Sequence, residues 1–149
     1  MPLIPRLKII LLGGGFLIAD QTLKYLSLHN WQNFWLPNKF FGWQPFINTG
    51  AAFGLPIYSW IIIILTIPII IFLIYILFKE KNIFNFFGYN LILWGALSNL
   101  IDRIYYGGVI DYWRLFTGII NLGDVMIVGG LIVIVLKLYF LNEVKQIKN

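Results

Sequence analysis

The stretch Ile57–Phe78, IYSWIIIILTIPIIIFLIYILF, decides the fold class. It contains no charged residue over 22 positions, and a helix of about 20 apolar residues crosses the hydrocarbon core of a bilayer. Pro68 lies near its middle, where we expect a kink rather than a break, because neighbouring helices satisfy the freed backbone groups. The sequence therefore predicts an integral membrane protein.

Three further spans are predicted on either side of this segment. Ile83–Ile101 is uncharged over 19 residues, and the last span covers residues 124–141. The first span is less obvious, because only Ile9–Ala19 is uninterrupted and eleven residues do not cross a bilayer. Extended through Asp20 and Lys24, it covers residues 9–28. The expected fold class is an all-α membrane protein with four transmembrane helices in one domain, residues 1–149.

The N-terminal segment also has features of a signal peptide. Arg6 and Lys8 precede its apolar core, as in the basic region of a secretory signal. No cleavage site of the A-x-A type follows, however, and Asp20 comes directly after the core. We therefore expect a retained helix.

The overall composition excludes several classes of protein. Of the 149 residues, 60% are hydrophobic and 11% charged, whereas an average soluble domain is about 45–50% apolar and about 25% charged. The 18% aromatic content is the reverse of the disordered signature. There is no cysteine and His29 is the single histidine, which excludes thiol nucleophiles, disulfides and HExxH zinc sites.

The basic residues predict the orientation of the spans, because lysine and arginine accumulate on the cytoplasmic side. With both termini in the cytoplasm, seven basic residues fall inside and four outside. The inner set is Arg6, Lys8, Lys79, Lys81, Lys137, Lys145 and Lys148, and the outer set is Lys24, Lys39, Arg103 and Arg114. The net charge of +5 is compatible with nucleic-acid binding, but this charge bias explains it, and we expect no nucleic-acid partner.

Two outer segments connect the spans. His29–Pro56 is rich in aromatic residues, which prefer the headgroup level, so we expect it to lie on the membrane surface. Its proline and glycine spacing favours short strands and turns. The second segment, Arg103–Gly123, has a turn signal at Gly107–Gly108, followed by VIDYW, which is typical of an extended strand.

Polar residues gather at the outer ends of the predicted spans, where buried charge is costly and often functional. Asp20 and Lys24 are four residues apart and can pair on one helix face. That pairing is the expected structural role, although it does not exclude catalysis. The set Asn99, Asp102 and Arg103 shares a stripe of its helix, which fits a polar pocket or an interfacial anchor equally well.

Asp111 and Asp124 stand at the two ends of one short outer segment that returns the chain to the membrane. Asn121, three residues before Asp124, can orient a carboxylate. Two carboxylates in contact share one proton, which is the chemistry of aspartic proteases. The spacing by itself is also compatible with two unrelated acids at the interface.

Other kinds of chemistry find little support. A serine protease needs a base beside its nucleophile. The chain has only three serines and one histidine, His29, so this mechanism finds little support. Carboxylates alone do not exclude metal-dependent hydrolysis, but no dense acidic motif appears, and we expect neither a metal ion nor a cofactor. Two alternatives from other classes remain open: a small proton-coupled transporter that uses Asp20 and Asp124 as relays, and an assembly scaffold whose aromatic loop binds a partner protein.

Five short blocks in order carry a resemblance to a known family. They are DQTLK at Asp20–Lys24, NTGAAFG at Asn48–Gly54, GALSNLIDR at Gly95–Arg103, VIDY at Val109–Tyr112 and NLGD at Asn121–Asp124. On four predicted spans, these blocks resemble the bacterial lipoprotein signal peptidases, also called signal peptidase II, along essentially the whole chain.

The resemblance implies a four-helix inner-membrane aspartyl endopeptidase with a small β-cradle on the outer membrane surface. Such enzymes cut the signal peptide from prolipoproteins just before a diacylglyceryl-modified cysteine, within membrane lipid. The family's catalytic dyad falls on Asp111 and Asp124, and positions that line the site or hold substrate fall on Asn48, Asn99, Arg103 and Asn121. Asp20, Lys24 and Asp102 match polar positions that we expect to be structural. A monomer is the default expectation.

Four positions depart from the family's usual blocks. The third block commonly reads GGALGN, and here Trp94 and Ser98 replace two glycines. The last commonly reads FNLAD, and here Ile120 and Gly123 stand instead. None of the four removes an acid or an amide, so we expect them to change the shape of the pocket rather than its chemistry.

Overall fold

A computed structural model describes residues 2–29, 34–36, 40–50, 55 and 57–147. Four helices and four strands occur in these ranges, in the order α1 (Leu3–His29), β1 (Phe34–Trp35), β2 (Phe41–Asn48), α2 (Ser59–Lys79), α3 (Ile83–Tyr106), β3 (Val109–Leu115), β4 (Gly118–Ile120) and α4 (Leu122–Ile147). Each helix extends beyond the corresponding predicted span at one end or both.

Two of these helices are long and apolar enough to cross a membrane by length and composition, namely α2 and the part of α4 from Leu122 to Phe140. Helices α1 and α3 contain more polar residues, and several of these face the protein interior: Asp20 and Lys24 of α1 and Asp102 of α3 are at most 1% exposed. Large apolar side chains on the same helices face outward, such as Leu11 at 64% and Ile104 at 60% exposure. Polar inside and apolar outside is the reverse of a soluble protein.

Helix α3 lies at the centre and packs against the other three helices. On the side of α2, Leu93 packs against Ile70 and Leu73. Glycines allow α3 and α4 to come closest, because a Cβ at Gly95 would lie 2.5 Å from the carbonyl oxygen of Gly123. This close approach brings the side chains at the ends of α3 and α4 within hydrogen-bond reach.

The strands form one antiparallel sheet in the order β1-β2-β3-β4. Short strands were predicted in both outer segments, and the described residues confirm them. Gly107 ends α3 in the left-handed conformation, with φ at 71°, as a turn here requires. Trp43 of β2 stacks on Tyr112 of β3. The predictions for residues 51–54 of the second block, for Lys39 and for Lys148 lie outside the described residues.

Helix ends are set by local capping. Asn82 begins α3, because its side chain accepts hydrogen bonds from the backbone N–H groups of Phe84 and Asn85 at 3.0 and 3.2 Å. Asn121 begins α4 in the same way, and it lies within a cluster of polar residues.

Candidate active site

Asp111 and Asp124 approach each other because of one hairpin. Asp111 lies in β3, and the hairpin to β4 carries the chain back to the start of α4, where Asp124 occupies the first turn. The sheet pairs Asp111 with Phe46 of β2, which fixes its side of the sheet. Thus β3 and α4 bring the two predicted aspartates to one place.

The side chain of Asn121 joins the carboxylate of Asp111 to the backbone of Asp124. Its amide group donates to Asp111 Oδ1 at 2.6 Å, and its carbonyl oxygen accepts from the backbone N–H of Asp124 at 2.8 Å. The Asp124 carboxylate in turn accepts from the backbone N–H of Asn121 at 3.4 Å. This reciprocal arrangement is a capping box at the start of α4. The cap of the helix and the orientation of both aspartates are therefore set together.

Asp111 is buried, at 2% exposure. Besides Asn121, a longer hydrogen bond of 3.4 Å comes from the amide of Asn48, whose oxygen accepts from the backbone N–H of Gly50. Burial and the neighbouring charge of Asp124 raise the pKa of Asp111 to about 7, against the lowering effect of the two amides. Asp111 therefore holds a proton for much of the time near neutral pH.

Asp124 has a different set of partners. Its Oδ1 accepts from the side-chain amide of Asn99 at 2.8 Å, and its place in the first turn of α4 puts it where the helix dipole favours a negative charge. Asn99 belongs to the stripe of α3 for which two roles were open. In the structure, the side chain of Asn99 points into the site rather than toward lipid.

Behind Asn99 lies a buried cluster of charges around Lys24. The Lys24 ammonium contacts Asp20 Oδ2 at 2.7 Å and Asp102 Oδ2 at 2.8 Å. The predicted pairing of Asp20 with Lys24 is confirmed. The same ammonium donates to Ser98 Oγ at 3.2 Å and to Asn99 Oδ1 at 3.1 Å. The cluster and the pair of aspartates are thus joined through Asn99.

Three residues of this cluster were missed by the sequence reasoning. Gln21 donates to Asp102 Oδ1 at 2.9 Å, and Ser98 donates to Asp20 Oδ2 at 2.6 Å. Tyr112 donates its hydroxyl to Asp20 Oδ1 at 2.9 Å, and the backbone N–H of Leu122 approaches both of these oxygens at 3.0 Å. The available signal was their membership of the blocks that contain the acids. The contacts fasten the start of α4 to α1.

Arg103 lies on the other side of the site. Its guanidinium donates to the backbone oxygen of Gly50 at 3.1 Å and to Ser59 Oγ at 3.3 Å. It therefore connects the end of α3 to the segment after β2 and to the start of α2. Its charge also acts on the nearby carboxylates of Asp111, Asp124 and Asp102. The described residues contain no group of three or more His, Cys, Asp or Glu side chains that could hold a metal ion.

The four departures from the usual blocks have identifiable surroundings. Trp94 fills the space beside Gly13 of α1, where an added Cβ would lie 2.1 Å from its ring. Ser98 joins the Lys24 cluster. Ile120 pairs with Trp113 in the sheet. A Cβ at Gly123 would lie 3.0–3.2 Å from oxygens of Asn121, Asn99 and Asp20, so this glycine leaves those oxygens room.

Comparison with families and curated proteins agrees with the resemblance. The family model for signal peptidase (SPase) II matches residues 12–140. A lipoprotein signal peptidase of Thermodesulfovibrio yellowstonii is 36% identical over 138 residues, covering 81% of this chain and 87% of that protein. One from Serratia marcescens is 32% identical over 136 residues, covering 83% and 80%.

Solved structures give the same result for the fold. A bacterial membrane enzyme determined in meso at 2.3 Å resolution superposes with a TM-score of 0.81 at 29% identity, covering 89% of this chain and 87% of that one. A second, determined in meso at 1.9 Å, gives a TM-score of 0.77 at 30% identity, covering 88% and 92%. Both neighbours are membrane enzymes with this arrangement of helices and sheet.

Proposed function

The chain belongs to the signal peptidase II family, and from that premise we propose that it is an aspartyl endopeptidase. Its substrates would be prolipoproteins with a diacylglyceryl-modified cysteine, cut just before that cysteine. The observation that carries the aspartyl mechanism is the joining of Asp111 and Asp124 by one amide, that of Asn121. Two carboxylates so placed, one of them buried, retain one proton between them, which this hydrolysis requires.

We assign the proton to Asp111 and the negative charge to Asp124. The deeper burial of Asp111, at 2% exposure, supports the first, and the position of Asp124 in the first turn of α4 supports the second. Asp124 takes a proton from water as the water oxygen bonds to the scissile carbonyl carbon, while Asp111 gives its proton to the carbonyl oxygen. Asp124 then protonates the leaving nitrogen as the C–N bond breaks, and Asp111 recovers its proton from the hydroxyl that becomes the new carbonyl.

Four residues are proposed to contact substrate: Asn48, Asn99, Arg103 and Asn121. Asn99 and Asn121 hold the aspartates at 2.8 and 2.6 Å, so they act by fixing the carboxylates around the scissile bond. The Asn48 amide is 3.4 Å from Asp111, a weak contact that leaves its N–H groups able to bind a substrate carbonyl. Arg103 lies on the same side of the site as Asn48, because its guanidinium donates to the backbone oxygen of Gly50. Asp20, Lys24 and Asp102 form the support behind it.

We further propose a single domain with four membrane spans in the bacterial inner membrane, both termini in the cytoplasm and the site at the outer face. The outward apolar and inward polar sides of α1 and α3 support spanning by these helices too. The chain lacks cysteine, so Lys8→Cys and Thr117→Cys, both at exposed positions, report on sidedness. An impermeant maleimide should label Thr117→Cys in intact spheroplasts and Lys8→Cys only after lysis. The opposite pattern would reverse the orientation.

The deciding experiment is cleavage of a lipidated proprotein by purified Asp111→Asn and Asp124→Asn variants, followed by gel shift. Each should lose essentially all activity, because either change removes one partner of the proton-sharing pair. Glu80→Gln, the same kind of change at an acid between α2 and α3, is the matched control and should cleave at the parent rate. Parent-rate cleavage by either aspartate variant would reject the dyad.

The unmodified proprotein tests substrate recognition separately. Its resistance to the parent enzyme is expected if the lipid is part of what the site recognises, and equal cleavage of both forms would contradict lipid-dependent recognition. The transport hypothesis makes a contrary prediction, uptake of a labelled solute by vesicles without any cleavage. The scaffold hypothesis predicts that substitutions among the site residues leave function intact.

A further inference from the structure

The Lys24 ammonium contacts two uncharged acceptors as well as the two carboxylates that compensate its charge. It is 1% exposed and carries three N–H donors. Two of them face carboxylate oxygens of Asp20 and Asp102 at 2.7 and 2.8 Å. The third is shared by Ser98 Oγ at 3.2 Å and Asn99 Oδ1 at 3.1 Å. The contact with Asn99 neutralises nothing, so it has a consequence separate from the salt bridges.

That consequence concerns the orientation of the Asn99 amide. An asparagine side chain has a donor end and an acceptor end, and a lysine ammonium only donates. Lys24 therefore keeps the oxygen of Asn99 on its own side, which leaves the NH2 group facing Asp124 Oδ1 at 2.8 Å. With the amide turned round, Asn99 would present an oxygen to the Asp124 carboxylate, and two acceptors would face each other.

The path from Lys24 to the carboxylate runs through three helices. Lys24 belongs to α1, Asn99 to α3 and Asp124 to α4. Ser98 strengthens the arrangement, because its hydroxyl accepts from Lys24 and Gln21 and donates to Asp20 at 2.6 Å. All the hydrogen-bonding capacity of this hydroxyl is thereby used, and the ammonium is held between the acids and Asn99.

We propose that Lys24 is a positioning residue for the reaction, acting through Asn99 to present an N–H donor, rather than an oxygen, to Asp124. This inference rests on the proposed function. It differs from a purely structural role, in which Lys24 compensates two buried carboxylates and any change that restores charge balance suffices. A donor aimed at Asp124 favours its charged form, so loss of Lys24 changes the pH dependence of the reaction as well as its rate.

Other charged and titratable groups face this region and are unchanged in the design unless named. They are Asp20 of α1, Asp102 and Arg103 of α3, Asp111 and Tyr112 of β3, and Asp124 itself in α4. Lys24→Met alone leaves two buried carboxylates without their cation and is expected to misfold. The double variant Lys24→Met with Asp102→Asn leaves one carboxylate, so the cluster carries one negative charge, as in the parent.

The test compares four proteins on the lipidated proprotein: the parent, Asp102→Asn, Lys24→Met with Asp102→Asn, and Lys24→Gln with Asp102→Asn. Asp102→Asn should stay within about threefold of the parent kcat, since Lys24 is retained. The methionine double variant should fold, keep KM and lose about 10-fold to 100-fold in kcat, the scale of a misplaced catalytic group. The acidic limb of its kcat/KM profile should move to higher pH. The glutamine double variant restores a donor and should recover part of the loss.

The outcomes separate the two roles. A methionine double variant that matches Asp102→Asn in kcat and in pH profile would show that Lys24 only balances charge, and the inference would be wrong. Equal losses with glutamine and methionine would also overturn it, because a donor would then be irrelevant. A double-mutant cycle with Asn99→Ala provides a further measure: without Asn99, the change at Lys24 should cost no further activity. A parent that fails to cleave the proprotein would instead reject the proposed function.

Discussion

Replacement of Asp111 by asparagine should stabilise the folded protein while it abolishes cleavage, and the gain should grow with pH. Asparagine has nearly the shape of the protonated acid and can still accept the 2.6 Å hydrogen bond from Asn121. It removes the cost of ionising a carboxyl group that is 2% exposed and close to Asp124. Such a trade of stability for function is typical of groups held in unfavourable surroundings for catalysis.

The magnitude follows from the two pKa values of this carboxyl group, 3.8 as the ordinary value and about 7 in the folded protein. A folded-state pKa above the unfolded one means that the folded state binds more protons between these values. The contribution of this carboxyl group to the stability of the folded protein is therefore fully present below pH 3.8 and is lost as pH rises through about 7. At about 1.4 kcal/mol per tenfold change in ionisation, the relative gain for asparagine is about 4 kcal/mol at pH 8 and about 2 kcal/mol at pH 5.

Thermal unfolding in detergent between pH 5 and pH 9 measures this difference. With roughly 2–4 °C per kcal/mol for a chain of this size, Asp111→Asn should exceed the parent by about 10 °C in Tm at pH 8 and by about half of that at pH 5. A gain that does not change with pH, or a loss at pH 8, would show that ionisation of Asp111 does not destabilise the folded protein.

Glu80→Gln is the control with the opposite sign. Burial raises the pKa of Glu80, but hydrogen bonds from the backbone N–H groups of Asn82 and Lys81 and from the amide of Asn85 outweigh this and lower it overall. The contribution of Glu80 to the stability of the folded protein is present above the ordinary pKa of 4.5. It is lost as pH falls through the lower pKa of this group in the folded state. Glu80→Gln should therefore show no gain in Tm at pH 8.

Three further predictions test the site and the packing around it. Cleavage by the parent should decline as pH rises through about 7, because Asp111 loses the proton that it gives to the carbonyl oxygen; a rate still rising at pH 9 would contradict its role as the acid. Asn121→Ala removes a helix cap of about 1 kcal/mol and a hydrogen bond to Asp111 of about 0.5–1.5 kcal/mol. We therefore expect kcat/KM to fall roughly 2-fold to 10-fold with a modestly lower Tm, whereas an unchanged kcat/KM would mean that the bridge is dispensable. Gly13→Ala should lower Tm by several degrees, because its Cβ would lie 2.1 Å from Trp94. Gly15→Ala is the control and should leave Tm nearly unchanged, because its Cβ would have no neighbour within 4 Å. Equal Tm values for the two variants would mean that α1 readily moves away from Trp94.

Local rules predicted a good part of the fold. The hydropathy of the segments located all four helices, because one apolar helical segment can be recognised without its neighbours. Glycines at 107 and 108 indicated the turn before β3 for the same local reason. Bounds were less accurate, since α3 continues past the predicted end at Ile101 to Tyr106, where Gly107 ends it.

Contacts between residues that are close in sequence could also be predicted. Asp20 and Lys24 lie one helical turn apart, and the structure confirms their pairing. The relation of Asn121 to Asp124 is likewise local, since the two are three residues apart in a capping box. What spacing could not supply was the second partner of Lys24, Asp102, because this contact joins α1 to α3.

The amino-acid sequence is enough to predict a membrane protein, the positions of its helices and the gathering of acids and amides near one end of them. Hydropathy, capping and the spacing of helical neighbours are properties of short segments, so they can be read without the fold. Which donor meets which acceptor depends instead on tertiary packing: Asn121 joins Asp111 to the start of α4, and Asn99 turns its amide toward Asp124 with Lys24 behind it. Hydrogen bonds are directional over about 3 Å, and that geometry exists only after α1, α3, α4 and the sheet have packed together.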